Sequence, residues 1–293
     1  MQKERVLQGR KVTEKDIDLI KYLIAQNPGW GRSRLSQELC RLWEWKAANG
    51  QIKDMACRSY LRKLEQHDLV QLPKPLCVST SPVTEQFIQP VFHDKTPIKN
   101  KLKELSPIKV AIIEKGYDLK LFKYMISAYH YLGWSRTVGE NIKYLFYDKD
   151  DRLLGCMMFG AAAWKVAPRD KYIGWSKDVR EKNLNCVINN NRFLILPWVK
   201  VKYLASHILG IMSRRVNDDW QSKYNHPVYL METFVDETKY KGTCYKSANW
   251  KYMGQTQGRG KLDKQHKKAL SIKGIYLYPL AKKYKTFLNK VYE

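Results

Sequence analysis

The chain has 293 residues, 44% of them hydrophobic, enough to bury a sizeable core in one large domain or two smaller ones. It holds 53 lysines and arginines against 28 acidic residues, a net charge of +25, which favours a polyanionic partner. The longest apolar run, residues 153–164, is too short to span a bilayer, and the first residues lack the apolar segment of a secretory signal. We expect a cytoplasmic protein without a membrane association.

The sequence lacks the motifs of several common classes of site. Its six cysteines and six histidines are scattered without CxxC, HExxH or HxH spacing, so we predict no metal site built from them. No Walker A, GxGxxG or GxSxG pattern occurs, which excludes a self-contained ATPase.

The positive charge is concentrated toward the carboxyl end. Residues 237–293 carry 14 basic and 3 acidic side chains. This concentration is typical of a protein that binds nucleic acid. An anionic membrane surface is the alternative, but no long basic amphipathic helix supports it.

Residues 1–75 predict a small helical domain. Thr13 is the cap of a first helix, a second begins near Ser33, and a third, basic helix runs into the short extended piece LVQLP. This order is typical of a winged helix, whose third helix enters the major groove. A plain three-helix bundle with a solvated basic face is the alternative. For DNA contacts we name the basic residues of the third helix: Lys53, Arg58, Arg62 and Lys63.

Residues 76–105 contain several prolines and no sustained period, so we predict a linker there. Residues 106–293 predict an α+β sheet domain. Its elements are a helix around 119–133, a hairpin over 141–160 that KYIGW (171–175) extends, a helix begun by Ser176, a turn at 189–191 followed by a strand, a helix whose inward residues are Leu204, Ile208, Met212 and Val216, and strands over 226–236 and 273–281.

The order of hairpin, strand, helix, strand, helix and strand is similar to that of the GNAT acetyltransferases. In those enzymes a glycine-bearing loop lets backbone N–H groups reach the pyrophosphate of acetyl-CoA. The corresponding segment here, residues 198–206, has no glycine. The pattern therefore predicts a GNAT-like fold and argues against acyl transfer.

Long segments also resemble the DruA family of the Druantia anti-phage systems of bacteria. They include LCRLWEWKAANGQIKDMACRSYLRKLE, NNNRFLILPWVKVKYLASHILG and HPVYLMETFVDETKYKGTCYKSANWKYMGQTQGRGK. The resemblance covers nearly the whole chain except the linker. It implies a bacterial cytoplasmic protein that acts on DNA in defence or in mobile-element biology, with other Druantia proteins, including a large helicase, as partners. It implies no catalytic residues.

Three carboxylates suggest an alternative, metal-dependent DNA cleavage. Glu232 and Asp236 share one face of a predicted strand, but four residues separate their Cα atoms by roughly 13 Å, so one Mg²⁺ would need a third acid such as Asp170. The structural alternative is that Asp236 caps a helix starting at Glu237 and that Glu232 pairs with Arg192.

The stretch at 242–261 combines glycines, amides and basic residues without any acid. Glycine lets backbone N–H groups approach phosphate, and Tyr or Trp can stack on an unpaired base. We interpret it as a nucleic-acid cradle, although a solvated loop with a buried Trp250 is the alternative. Its predicted contact residues are Tyr245, Asn249, Trp250, Arg259, Lys261 and Lys264.

Overall fold

The computed structural model describes residues 6–7, 10–46, 50–74, 88–258 and 271–290. The chain divides into two compact units, residues 1–85 and 86–293. Each unit has its own hydrophobic core. Among the described residues, none of the helices combines the length and the apolarity needed to cross a bilayer.

The described residues of the first unit form a short hairpin and three helices. The hairpin pairs β1 (Val6–Leu7) with β2 (Arg10–Lys11), and α1 (Glu14–Gln26), α2 (Arg32–Leu42) and α3 (Asp54–Glu65) follow. Thr13 caps α1 as predicted, because its hydroxyl accepts a hydrogen bond from the Asp16 amide at 3.1 Å. One face of each helix contributes to the shared core, which includes Ile20, Leu35, Leu39, Cys57, Tyr60, Leu61 and Leu64.

The segment after α3 is irregular. Val70 and Leu72 are buried against the helices, but residues 69–74 form no strand. Arg32 fixes this segment, since its Nε donates to the Pro73 carbonyl at 2.7 Å and its guanidinium pairs with Glu65 at 3.0 Å. The three helices have the predicted order, and the described residues after α3 do not form the strand of a wing.

The second unit is a mixed α/β structure around a seven-stranded sheet. The order in the sheet is β3-β4-β5-β6-β7-β9-β8, and its neighbours are antiparallel except for β6 and β7. In chain order the elements are α4 (Leu102–Leu105), β3 (Lys109–Ile113), α5 (Gly116–Tyr129), β4 (Asn141–Tyr147), β5 (Leu153–Ala161), α6 (Ala167–Ile173), α7 (Lys177–Asn183), β6 (Val187–Ile195), α8 (Leu204–Tyr224), β7 (Leu230–Asp236), α9 (Thr243–Ser247), β8 (Lys251–Gln255), β9 (Lys273–Pro279) and α10 (Tyr284–Asn289).

Several predicted elements are confirmed. The hairpin is β4 with β5, Ser176 caps α7 by accepting from the Val179 amide at 3.3 Å, and all four predicted inward residues of α8 are buried. The predicted strand at 171–175 is wrong. These residues belong largely to α6, which has Pro168 in its first turn and ends at Gly174 in the left-handed region with φ 88°.

The predicted linker extends too far toward the carboxyl end. Ile98 is 3% exposed and forms an isolated parallel β-bridge with Val199. Leu105 of α4 is fully buried in the core of the second unit. Burial of these apolar side chains stabilises the core, so the segment around them is part of the folded unit. Residues 75–87 lie outside the described residues.

Candidate functional site

A cleft opens in the sheet where two neighbouring strands part. Within the described sheet, β6 and β7 are the parallel pair, and they are joined only from Val187–Asn189 to Leu230–Glu232. Beyond these pairs β6 stays bonded to β5 while β7 stays bonded to β9. The cleft between them has a volume of about 440 Å³. Ligands of open α/β sheets commonly bind at the carboxyl ends of strands, which is where this cleft lies.

The cleft wall combines aromatic rings, amides and hydroxyls. The strands β6 and β7 supply nearly half of it, and the α5–β4 connection, the segment before α9 and α9 itself supply most of the rest. The residues that line the cleft include His130, Tyr131, Asn190, Asn191, Phe193, Thr233, Phe234, Asp236, Tyr240, Lys241, Gly242, Thr243 and Tyr245.

A hydrogen-bonded network fixes the deep end of the cleft. The Thr233 hydroxyl donates to the Asn190 carbonyl at 2.8 Å, and the Tyr245 hydroxyl donates to Asn190 Oδ1 at 2.7 Å. All three residues are buried. Burial raises the pKa of Tyr245, so its phenol is a neutral donor at physiological pH.

This network corrects one prediction for the stretch at 242–261. Tyr245 and Trp250 are 8% and 4% exposed and contact each other edge to face at 5.1 Å, so neither ring is free to stack on a base. The reason is that Tyr245, on α9, and Trp250, just before β8, both belong to the hydrophobic core of the second unit. The helix itself ends at Ser247 and β8 begins at Lys251, which leaves Asn249 exposed in a left-handed turn with φ 62°.

The remaining predicted residues of that stretch, Arg259, Lys261 and Lys264, lie outside the described residues. Before them, Gly254 and Gly258 have positive φ angles of 100° and 66°, a backbone conformation that favours glycine.

The ionisable groups of the cleft have distinct charges at neutral pH. Burial, together with the nearby Arg192 guanidinium, lowers the pKa of His130 to about 4, and its Nδ1 accepts from the Leu132 amide at 3.2 Å. The imidazole is therefore neutral. Hydrogen bonds from Thr238 lower the pKa of Asp236, which stays ionised. Lysines 239, 241 and 246 are exposed along the segment beside the cleft.

The three predicted catalytic carboxylates do not form a metal site. Glu232 is fully buried, and its two oxygens accept from the Ala163 amide at 2.7 Å and from Arg169 at 2.8 Å. Arg169 also pairs with Asp170 at 2.7 Å. Because the arginine occupies both acids, a Mg²⁺ ion does not fit this donor set. Burial raises the pKa of Glu232, and the Arg169 charge opposes that rise.

The structure also corrects the alternative that we gave for these acids. The partner of Glu232 is Arg169, whereas Arg192 donates to the carbonyls of Asn191 and Gly133 at 2.7 and 3.0 Å. Asp236 caps no helix, because its Oδ1 closes a local turn by accepting from the Thr238 amide and hydroxyl. Across the described residues, no group of three or more His, Cys, Asp or Glu side chains could hold a metal ion.

The predicted DNA-contact residues of the first unit lie on and beside α3. Lys53 precedes the helix and is exposed, and Arg62 is exposed on the outer side, whereas Lys63 is half-buried. Arg58 is half-buried and forms an ion pair with Asp54 one turn earlier. Met55, on the same outer face as Arg58 and Arg62, is 66% exposed.

Sequence reasoning missed most of the cleft. His130, Asn190, Asn191 and Tyr240 were not predicted as site residues, since their approach depends on which strands pair. One local signal is present: three successive asparagines at 189–191 are unusual in a strand. They predict a turn, but this prediction is wrong, because the three residues lie within β6.

Comparison with known proteins identifies one family. The sequence profile described as Druantia protein DruA matches residues 58–285. No curated protein matches the chain.

Some solved structures have a similar course of the chain. A spermidine N-acetyltransferase from Vibrio cholerae, in complex with CoA and spermine, is 11% identical with a TM-score of 0.40 and covers 61% of this chain and 98% of its own. The SpeG spermidine/spermine N-acetyltransferase of that organism, in complex with manganese ions, is 11% identical with a TM-score of 0.38, covering 61% and 96%. No conclusion about activity follows from these likenesses.

Proposed function

The chain belongs to the DruA family of Druantia proteins, and on that basis we propose that it serves bacterial anti-phage defence by binding DNA. In this proposal the first unit acts as a winged-helix-like module and the second as a basic, GNAT-like sheet domain. Other Druantia proteins, including a large helicase, would be its partners in the cytoplasm.

The observation that carries the proposal is the division of α3 into two faces. The inner face buries Cys57, Tyr60, Leu61 and Leu64 in the core. The outer face exposes Met55 and Arg62, with Arg58 between them. Residues three and four positions apart are neighbours on a helix, so these side chains form one surface. An exposed basic helix of this length suits the major groove, where arginine contacts phosphates and guanine edges.

The overall charge supports the same partner. A net charge of +25 attracts nucleic acid without sequence preference and speeds association. Lys15, Lys21, Lys53 and Arg62 are all exposed in the first unit and have no carboxylate partner in the part of the chain that the structure describes.

We expect Arg58→Ala with Arg62→Ala to weaken duplex binding at least about tenfold, because charge-assisted hydrogen bonds are lost. The slope of log K against log salt should flatten by up to about 1.8, or about 0.9 for each lost phosphate contact. Fluorescence anisotropy with a labelled duplex measures both quantities. The unfolding midpoint should fall only slightly, since Arg62 is exposed and the partly solvated pair of Arg58 with Asp54 contributes at most about 1 kcal/mol.

Lys15→Ala with Lys21→Ala is the matched control. It removes two exposed charges from α1 of the same unit. An equal loss of affinity in both double variants would mean that charge alone matters and that α3 has no special role. Unaltered affinity in the arginine variant would refute the assignment of α3.

A further inference from the structure

We propose that the cleft between β6 and β7 takes up one unpaired nucleotide of the bound nucleic acid, with the base inside and the phosphates at the lysines outside. This inference rests on the proposed function and deepens it. It assigns a ligand to a site that neither the sequence nor the comparisons identify.

The size of the cleft selects a small ligand. Its volume of about 440 Å³ falls within the roughly 300–1,000 Å³ of small-molecule sites. A duplex does not enter such a space, because its major groove alone is about 12 Å wide. A single nucleotide displaced from its stack has the right dimensions.

Asn191, one of the residues that line the cleft, has an unused hydrogen-bonding group. Asn191 Oδ1 is buried and finds no hydrogen-bond partner among the described residues. The amide is held in place against β5, where a Cβ on Gly160 would lie 2.8 Å from Asn191 Nδ2. A buried acceptor without a partner costs free energy, and a ligand that donates to it recovers that cost. Nucleobases carry such donors on their edges.

Aromatic rings line the same cleft. Tyr131 is packed between His130, with ring centroids 4.9 Å apart, and Tyr240, at 5.3 Å. Tyr240 is 51% exposed, so part of its ring is open to a further planar group. Phe193 and Phe234 add half-buried apolar surface from the two strands. Stacking on aromatic side chains is how proteins hold unpaired bases.

The charges are arranged for a base inside and phosphate outside. Within the cleft the imidazole of His130 is neutral and Asp236 is ionised, so the interior does not favour a phosphate group. Lys241 lines the cleft and is exposed, and Lys239 Nζ lies 5.0 Å from the Tyr131 ring centroid. These ammonium groups suit the phosphates on either side of an inserted base.

The test compares two labelled duplexes that differ by one unpaired nucleotide, with the full chain and anisotropy as the readout. We expect the duplex with the unpaired nucleotide to bind about 5-fold to 150-fold more tightly, which is the range for stacking one base. Tyr240→Ala and Asn191→Leu should each reduce that preference while the affinity for the fully paired duplex stays the same. Tyr117→Ala, which removes a 60% exposed tyrosine from α5, is the matched control and should keep the preference.

The proposed function and this inference fail separately. Arg58→Ala with Arg62→Ala should weaken both duplexes alike and keep their ratio. If the wild type binds no duplex, the proposed function is wrong. Calorimetry with deoxynucleoside monophosphates then tests the cleft by itself. Binding of a monophosphate to the wild type and its loss in Asn191→Leu would support the inference. Three outcomes would overturn the inference. The wild type could bind both duplexes with equal affinity, or the cleft variants could keep the preference for the unpaired nucleotide. The cleft could also bind acetyl-CoA and none of the deoxynucleoside monophosphates.

Discussion

Glu232 and Arg169 are both fully buried, and their charged groups meet at 2.8 Å. We expect Glu232→Gln to lower the free energy of unfolding by about 2–3 kcal/mol. A buried charge that loses its partner typically costs about 3–5 kcal/mol, but Arg169 keeps a second carboxylate, Asp170. Urea denaturation measures the change.

The control for Glu232→Gln is an ion pair that is exposed to solvent. Lys109 and Asp151 lie 2.7 Å apart with side chains 45% and 76% exposed, so Asp151→Asn should cost less than about 1 kcal/mol. Equal losses in the two variants would contradict a structural role for the buried pair. The native Glu232→Gln protein should bind DNA like the wild type.

His130 gives the stability a dependence on pH. Its pKa is about 4 in the folded chain against 6.5 without the fold, so between these values the unfolded chain binds the extra proton. Its contribution is complete above pH 6.5 and is lost as the pH falls toward 4. We expect the wild type to lose about 1–2 kcal/mol more than His130→Asn between pH 7 and 4.5, because the ring is partly solvated. Asn keeps an acceptor for the Leu132 amide.

His226 provides a control of opposite sign. Burial tends to lower its pKa, but the hydrogen bond to Glu140 at 2.9 Å and the charge of that acid outweigh burial and raise it. Its contribution is complete below pH 6.5 and is lost as the pH rises through the raised pKa. Denaturation curves of His226→Gln should therefore show no relief of the acid-induced loss, and relief there would contradict the assignment to His130.

Single side chains were the hardest part to predict from the sequence. The basic, glycine-rich surroundings of Tyr245 and Trp250 suggested exposure, but their burial depends on contacts with distant residues. Tyr245 bonds to Asn190, 55 positions away, and Glu232 bonds to Arg169, 63 positions away. The local hydrophobic pattern of a sequence does not indicate which distant residues will be in contact.

Helices with a cap or a long apolar stripe were predicted well, because these signals are local. The buried face of α8 and the caps of α1 and α7 are examples. The helix α6 was missed because seven residues are too few to show a period, although Pro168 and Gly174 are ordinary start and stop signals. The strands β3 and β8 were also missed; both are five-residue strands at the edges of the sheet.

The cap of α1 provides a test for one such local signal. We expect Thr13→Ala to lower the free energy of unfolding of the first unit by about 1 kcal/mol, since the Asp16 amide loses its acceptor. Thr13→Ser keeps the hydroxyl and should retain most of the stability. Equal losses in the two variants, measured by urea denaturation, would mean that the methyl group and not the cap matters.

For the molecule as a whole, the sequence contained clearer signals than it did for individual site residues. The excess of basic residues was visible without any structure, and so was the resemblance to the DruA family, which the profile match confirms. The order of the strands was not visible, because hydrophobic pattern does not say which strands are neighbours. The cleft follows from that order, so it could not be predicted.

The same strand order gives the sheet a line of weakness. One part of the sheet consists of the four antiparallel strands β3 to β6, and the other part consists of β7, β9 and β8. Only three residue pairs, between β6 and β7, join the two parts, whereas seven pairs join β5 to β6 and seven join β7 to β9. The helix α8, whose 21 residues span about 30 Å, connects β6 to β7 along the chain. We therefore expect a force applied in the cleft to separate β6 from β7 before it opens the longer pairings on either side.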